Sequence, residues 1–130
     1  MFENNHEYYL AGINLLDCCE YKSAIENFNL CIEKEPKYSH AYLKRGMAKF
    51  YLRNYSDALK DINHAIKLGN SSYECISNRG VVNYFLGKYK SALRDFNKAL
   101  KIDLKYDRIF ALRCIIKAKL GYFQEAIEDR

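Results

Sequence analysis

Residues 46–65 read GMAKFYLRNYSDALKDINHA, and residues 80–99 read GVVNYFLGKYKSALRDFNKA. Gly46 and Gly80 head the two stretches. Tyr55 and Tyr89, Ala58 and Ala92, Ile62 and Phe96, and Ala65 and Ala99 then recur at the same offset of 34 residues. Working outward, the step holds in both directions. Gly12 and Cys114 extend the glycine column, Tyr21 and Phe123 the aromatic column, and Ala24 and Ala126 the first alanine column. Phe28 and Cys31 extend the remaining two. Five columns in one register identify a chain built from repeated units, in which each unit is one supersecondary element.

Each unit reads as two helices. The first helices are predicted over 5–18, 39–52, 73–86 and 107–120, and the second over 21–34, 55–68 and 89–102, with a stub from 123 onward. Pro36 and the run Gly69-Asn70-Ser71-Ser72 mark turns between units, while Asn54, Gly87 and Gly121 mark bends within them. Ser39, Ser72 and Asp107 are the expected N-caps of the helices that follow. Small residues, Gly or Cys on the first helix facing Ala on the second, let the two axes approach closely. A lone helix pair cannot bury its apolar faces, so units must stack.

Composition agrees. Hydrophobic residues make up 49% and charged residues 28% of 130, a globular rather than disordered balance. One Pro and six Gly are too few for a chain of β-turns. No stretch approaches the length of apolar residues that spans a bilayer. The start, Met1-Phe2-Glu3-Asn4-Asn5-His6-Glu7, lacks the character of a signal or transit peptide. Five Cys, none in a CxxC pattern, suit a reducing and therefore cytoplasmic setting.

The repeat resembles the tetratricopeptide (TPR) family over nearly the whole chain. Its marks are Tyr8, Gly12, Tyr21, Ala24, Phe28, Cys31 and Pro36 in the first unit, and Tyr42, Gly46, Tyr55, Ala58, Ile62 and Ala65 in the second. The third has Gly80, Gly87, Tyr89, Ala92, Phe96 and Ala99, and the fourth Phe110, Gly121, Phe123 and Ala126. Pentatricopeptide and Sel1-like repeats fit the period worse. The resemblance implies an all-α fold: a right-handed α-solenoid of stacked antiparallel helix pairs, about three and a half repeats in one domain over 1–130. No polar capping helix follows the fourth unit. The expectation is therefore a piece of a longer protein, or an end closed by self-association into a homo-oligomer.

Catalysis is not expected. No GxxxxGK[ST], GxSxG or HExxH motif occurs. Cys31 and Cys114 sit in small-residue columns and read as core, Cys18-Cys19 as packing at a bend, and His6, His40 and His64 as surface. No cofactor or metal is expected. A recurrent charge pair is more informative. Arg45, Arg79 and Arg113 share one column among apolar neighbours, and Asp61, Asp95 and Asp129 share another on the second helices. In the first unit Ala11 and Asn27 replace both at once. Joint replacement favours pairing inside a unit, while Asp61 with Arg79 of the next unit stays open.

The resemblance places binding on the concave stripe of first helices. It implies contacts from Tyr9, Ile13, Leu43, Lys44, Met47, Phe50, Asn78, Val81, Tyr84 and Ile115. One subgroup of the family binds acidic chaperone tails through a clamp of Lys, Asn and Arg. Here the clamp places hold Tyr9, Ile13, Lys44, Glu74 and Asn78. Shifting by one unit recovers Asn78 and Arg108 but leaves Leu43, Met47 and Leu112. Instead Ile13, Met47, Val81 and Ile115 form an apolar column, which suits a protein or peptide partner with apolar or aromatic anchors. The alternative is that curvature buries this column between neighbouring helices.

Net charge is +5, unevenly spread. Residues 1–38 carry net −4, 39–72 and 73–106 carry +4 each, and the remainder +1. Lys88, Lys90, Arg94, Lys98 and Lys101 concentrate on or beside one second helix. Solvation, an acidic partner, or head-to-tail contact between copies would each account for them. Nucleic acid is disfavoured for want of an aromatic stacking platform.

Overall fold

A computed structural model describes residues 4–102 and 107–121 of the chain. Two compact units, Met1–Asn70 and Ser71–Arg130, divide it. The first holds α1 (Asn5–Asp17), α2 (Tyr21–Lys34), α3 (Ser39–Tyr51) and α4 (Tyr55–Lys67). The second holds α5 (Tyr73–Phe85), α6 (Tyr89–Ile102) and α7 (Asp107–Lys119). No strand occurs among the described residues. The expected helix bounds hold within about a residue. The stub from 123, with Phe123 and Ala126, lies outside the described residues.

The bend between paired helices has one geometry. Cys19 (φ 62°), Arg53 (φ 66°), Gly87 (φ 77°) and Gly121 (φ 84°) are left-handed and lie 34 residues apart. The backbone closes the first three bends in the same way. Glu20, Asn54 and Lys88 donate their N–H to the carbonyls of Leu15, Lys49 and Asn83 at 2.8, 2.9 and 2.9 Å. This is a Schellman closure, whose left-handed position glycine fills without strain. Two of the four repeats place a non-glycine residue there, so the turning residue is Arg53 and not the expected Asn54.

Caps divide similarly. Ser72 Oγ accepts from the Cys75 N–H at 3.3 Å, as expected. Ser39 is instead the first helical residue of α3, whose N-cap is Tyr38 without a side-chain bond. Asn4, unforeseen, caps α1 by accepting from the Glu7 N–H at 3.0 Å. The side chain of Asp107 lies outside the described residues.

Each helix pair closes on a glycine. A Cβ on Gly12 would stand 2.5 Å from the Phe28 ring, and one on Gly80 2.6 Å from the Phe96 ring. On Gly46 it would meet Ile62 Cγ1 at 3.0 Å. Gly12 and Gly80 therefore face the flat rings of Phe28 and Phe96 rather than the alanines, whereas Gly46 meets Ile62 and, at 3.1 Å, the Ala58 carbonyl alike. Around this contact Ala24, Ala58, Ala92, Cys31, Ala65 and Ala99 are fully buried. In the second unit Ala92, Phe96, Leu100, Ile109 and Ile116 form one core across α6 and α7.

The charge pairs lie within single repeats. Arg45 donates from Nε to Asp61 Oδ2 at 2.9 Å and from Nη2 to Oδ1 at 2.7 Å. Arg79 makes the same fork on Asp95, at 3.0 and 2.7 Å. A third donor reaches each buried carboxylate from one turn further along the first helix. It is Lys49 Nζ at 3.0 Å from Asp61, and Asn83 Nδ2 at 3.1 Å from Asp95. Arg45 also donates Nη1 to Asn29 Oδ1 at 2.9 Å, so it ties α3 to α2 as well as to α4. Arg113 repeats that link to Asn97 at 2.9 Å, joining α7 to α6. Asp129 lies outside the described residues. Where the pair is absent, Asn27 donates to the Ser23 carbonyl of its own helix at 3.1 Å.

Removing the arginine from such a pair leaves a buried carboxylate short of donors, which costs on the order of 3–5 kcal/mol. Arg79→Ala is expected to lower the urea midpoint correspondingly, with an unchanged melting curve as the contrary result. The thiols give a second check. Burial pushes Cys31 and Cys75 up to about 11. A thiol with a raised folded pKa stabilises the fold while it stays protonated, so its contribution is complete below about pH 9 and lost by about pH 11. The native chain should label rapidly at Cys18 and Cys19, which are exposed, and at Cys31 and Cys75 only after unfolding. Its stability should fall through that alkaline window, and less steeply once Cys31 is replaced by Ala.

Candidate functional site

Fully buried side chains cannot meet a partner, so burial sorts the expected contact stripe. In the first unit Ile13, Met47, Tyr9, Lys44 and Phe50 are half-buried on α1 and α3. Leu43 is the correction: with 0% exposure it is packing and lines no surface. Periodicity alone could not separate it from Met47 one turn on, because both lie on the same apolar side of α3. In the second unit Asn78, Val81 and Tyr84 are half-buried on α5, and Ile115 on α7 is 44% exposed. Ser77, a neighbour in the stripe, is buried and donates its hydroxyl to the Glu74 carbonyl at 3.2 Å. The side chain of Arg108 lies outside the described residues.

Several of these side chains are already engaged. The Tyr9 ring lies 6.0 Å from Phe28, 5.2 Å from Tyr38 and 6.5 Å from His40. Tyr38, from the turn before α3, was not among the expected residues, since the turn carries no helical period. Phe50 lies 5.5 Å from Tyr51 and 5.4 Å from Tyr55, which opens α4. Val81 and Tyr84 pack on the core of Phe96 and Ile116, and Tyr84 lies 5.7 Å from Tyr89. Aromatic pairs at such spacings hold their rings in place. In the column itself Ile13 and Met47 keep part of their apolar area open in the first compact unit, and in the second Val81 keeps part despite its core contact while Ile115 is largely open.

Two aromatics that open second helices, Tyr21 and Tyr89, are covered from the following first helix. Tyr21 stacks on Tyr51 at 5.1 Å with 20° between the planes. In the second unit the residue in that place is Lys119, whose Nζ stands 5.7 Å over the Tyr89 ring. Ring and cation serve one purpose here, since both cover an aromatic face. Tyr42 is held by its hydroxyl, which donates to the Pro36 carbonyl at 2.9 Å, and its ring lies 4.3 Å from His64.

Groups suited to chemistry stay apart. Cys31 and Cys75 are buried with raised thiols, and His6, His40 and His64 are exposed. Among the described residues no three His, Cys, Asp or Glu side chains are grouped to hold a metal. No helix among them is long and apolar enough to cross a membrane.

The family model for the tetratricopeptide repeat matches residues 73–106. No curated protein is significantly similar to the chain. Among solved structures, the first TPR of Spaghetti (RPAP3), bound to the HSP90 peptide SRMEEVD, is 21% identical with a TM-score of 0.87. That match covers 91% of this chain and 94% of that one. The second TPR domain of human RPAP3, in complex with the HSP70 peptide SGPTIEEVD, is 25% identical with a TM-score of 0.78, covering 88% and 98%. MamA is 20% identical with a TM-score of 0.91, covering 97% and 74%. Paired helices on a 34-residue step, a glycine against a large apolar side chain in the described pairs and the matched third repeat lead to one conclusion: residues 73–106 match the tetratricopeptide repeat, and the chain has the fold of tetratricopeptide-repeat structures.

Proposed function

We propose that the chain is a protein-interaction scaffold, without chemistry of its own, whose first helices take peptide segments with apolar or aromatic anchors. In the first unit the anchors meet Ile13 and Met47, flanked by Tyr9, Lys44 and Phe50. In the second they meet Val81 and Ile115, flanked by Asn78 and Tyr84. The observation that carries this reading is the contrast between columns. The packing columns of Ala24, Phe28 and Cys31 and their equivalents are closed to solvent, whereas every member of the Ile13 column retains open apolar area. A flexible thioether at Met47 lets that surface adapt to more than one anchor.

Two solved relatives hold chaperone peptides that end in acidic residues. They support a peptide as the class of ligand. The places that form a carboxylate clamp in the subgroup hold Tyr9, Ile13, Lys44, Glu74 and Asn78 here, a set with one cation and one anion. A partner is therefore gripped through its apolar side chains rather than a terminal carboxylate. Selection from a random peptide library should return sequences that share an apolar or aromatic pair. Each buried anchor contributes about 1.5–3 kcal/mol, so Met47→Lys and Val81→Lys should each weaken the selected peptides about tenfold or more. Peptides with no common apolar position, or equal binding by both variants, would refute the proposal.

A further inference from the structure

α6 carries a cationic stripe that packing does not explain. Lys90, Arg94 and Lys98 follow one another at every fourth residue, and Lys101 continues the line. These spacings place all four within one quadrant of the helix, over a length of about 16 Å. Lys88 stands just before it, and all five side chains are exposed. The opposite side of α6, with Ala92, Asp95, Phe96 and Ala99, is the buried one. Asp95 is the helix's one acidic residue. Its carboxylate is spent on Arg79 and Asn83, so it neutralises nothing on the outer face.

The repeat does not require these charges. Their equivalents in α4 are Ser56, Lys60, His64 and Lys67, and in α2 they are Lys22, Glu26, Leu30 and Glu33. The same fold is thus built with two lysines of four in α4 and with one lysine and two glutamates in α2. Like charges at i, i+4 destabilise a helix slightly, so a run of them works against local stability. At the C-terminal end of the stripe Ile102 is 54% exposed, one turn beyond Lys98. No ring lies on the stripe for a base to stack on. On the equivalent stripe of α2 only Glu26 and Glu33 are acidic, beside Lys22, so the matching face of a second copy would set two carboxylates against five cations.

We infer that the outer face of α6 is a second docking surface, for an acidic protein segment that runs along Lys90, Arg94, Lys98 and Lys101 and sets an apolar residue against Ile102. It lies on a second helix and is independent of the first-helix face proposed above. The attraction is electrostatic, so it acts on association rate and specificity and weakens as salt screens it.

Fluorescence anisotropy tests it with three labelled probes of matched charge: a Glu-Ala peptide ending in Leu, single-stranded DNA and duplex DNA. Lys90→Glu/Arg94→Glu/Lys98→Glu is compared with Lys60→Glu/Lys67→Glu, a charge reversal on α4, after circular dichroism shows both variants folded. The expected result is peptide binding at about 150 mM salt that falls about tenfold or more in the α6 variant and less than about twofold in the α4 variant. Removing the terminal Leu, or Ile102→Ser, should weaken it further. Absence of peptide binding, equal losses in the two variants, or tighter binding of either DNA would overturn the inference.

Discussion

The contact on which the described repeats depend is that of a glycine backbone against a large side chain of the paired helix. Gly12 lies under Phe28, Gly46 under Ile62 and Gly80 under Phe96. A Cβ at Gly12 or Gly80 would enter the phenylalanine ring, so something must shift to admit it, while at Gly46 it would crowd Ile62 and the Ala58 carbonyl more mildly. Interiors are packed near crystal density and do not absorb such an intrusion without rearrangement. The ion pair comes second to this contact. α1 and α2 pack with Gly12 and Phe28 but with Ala11 and Asn27 in place of the pair. The bidentate forks of Arg45 and Arg79 add direction to a contact that packing has already made. They also satisfy carboxylates that would otherwise be costly to bury.

This division of labour leaves certain columns free. Glycine, alanine and the large apolar column serve the helix pair, and the arginine and aspartate columns tie it together. Positions not fully spent on packing include the Ile13 column on the first helices, partly open although Val81 also touches the core, and the outer faces of the second helices. Both differ from what a bare repeat needs, one by being apolar and the other, in α6, by being uniformly basic. A scaffold that uses both could hold one partner by its apolar side chains and another by its acidity.

The 34-residue step made most of the fold legible, because small-residue columns and turn residues recur together and cannot all drift. The pairing of Arg45 with Asp61 and Arg79 with Asp95 was readable for the same reason, from the joint loss of both partners in the first repeat. What escaped was anything that depends on backbone angle rather than residue type. Cys19 and Arg53 occupy a left-handed bend that glycine marks only in later repeats, so the bend was placed one residue late at Asn54. Leu43 looked like its neighbours on α3 because hydrophobic spacing reports a side of a helix and not its depth. Tyr38 packs on Tyr9 from a turn, where no periodicity exists to announce it.

A double-mutant cycle at Gly80 and Phe96 tests the central contact most directly. In the native background Gly80→Ala should cost about 1–3 kcal/mol, the usual penalty for overpacking a filled core. With Phe96→Leu already present, the smaller side chain leaves room for the new methyl, and the cost of Gly80→Ala should fall to less than about half of its native value. The same cost in both backgrounds would show that the glycine serves something other than the approach of the two helices.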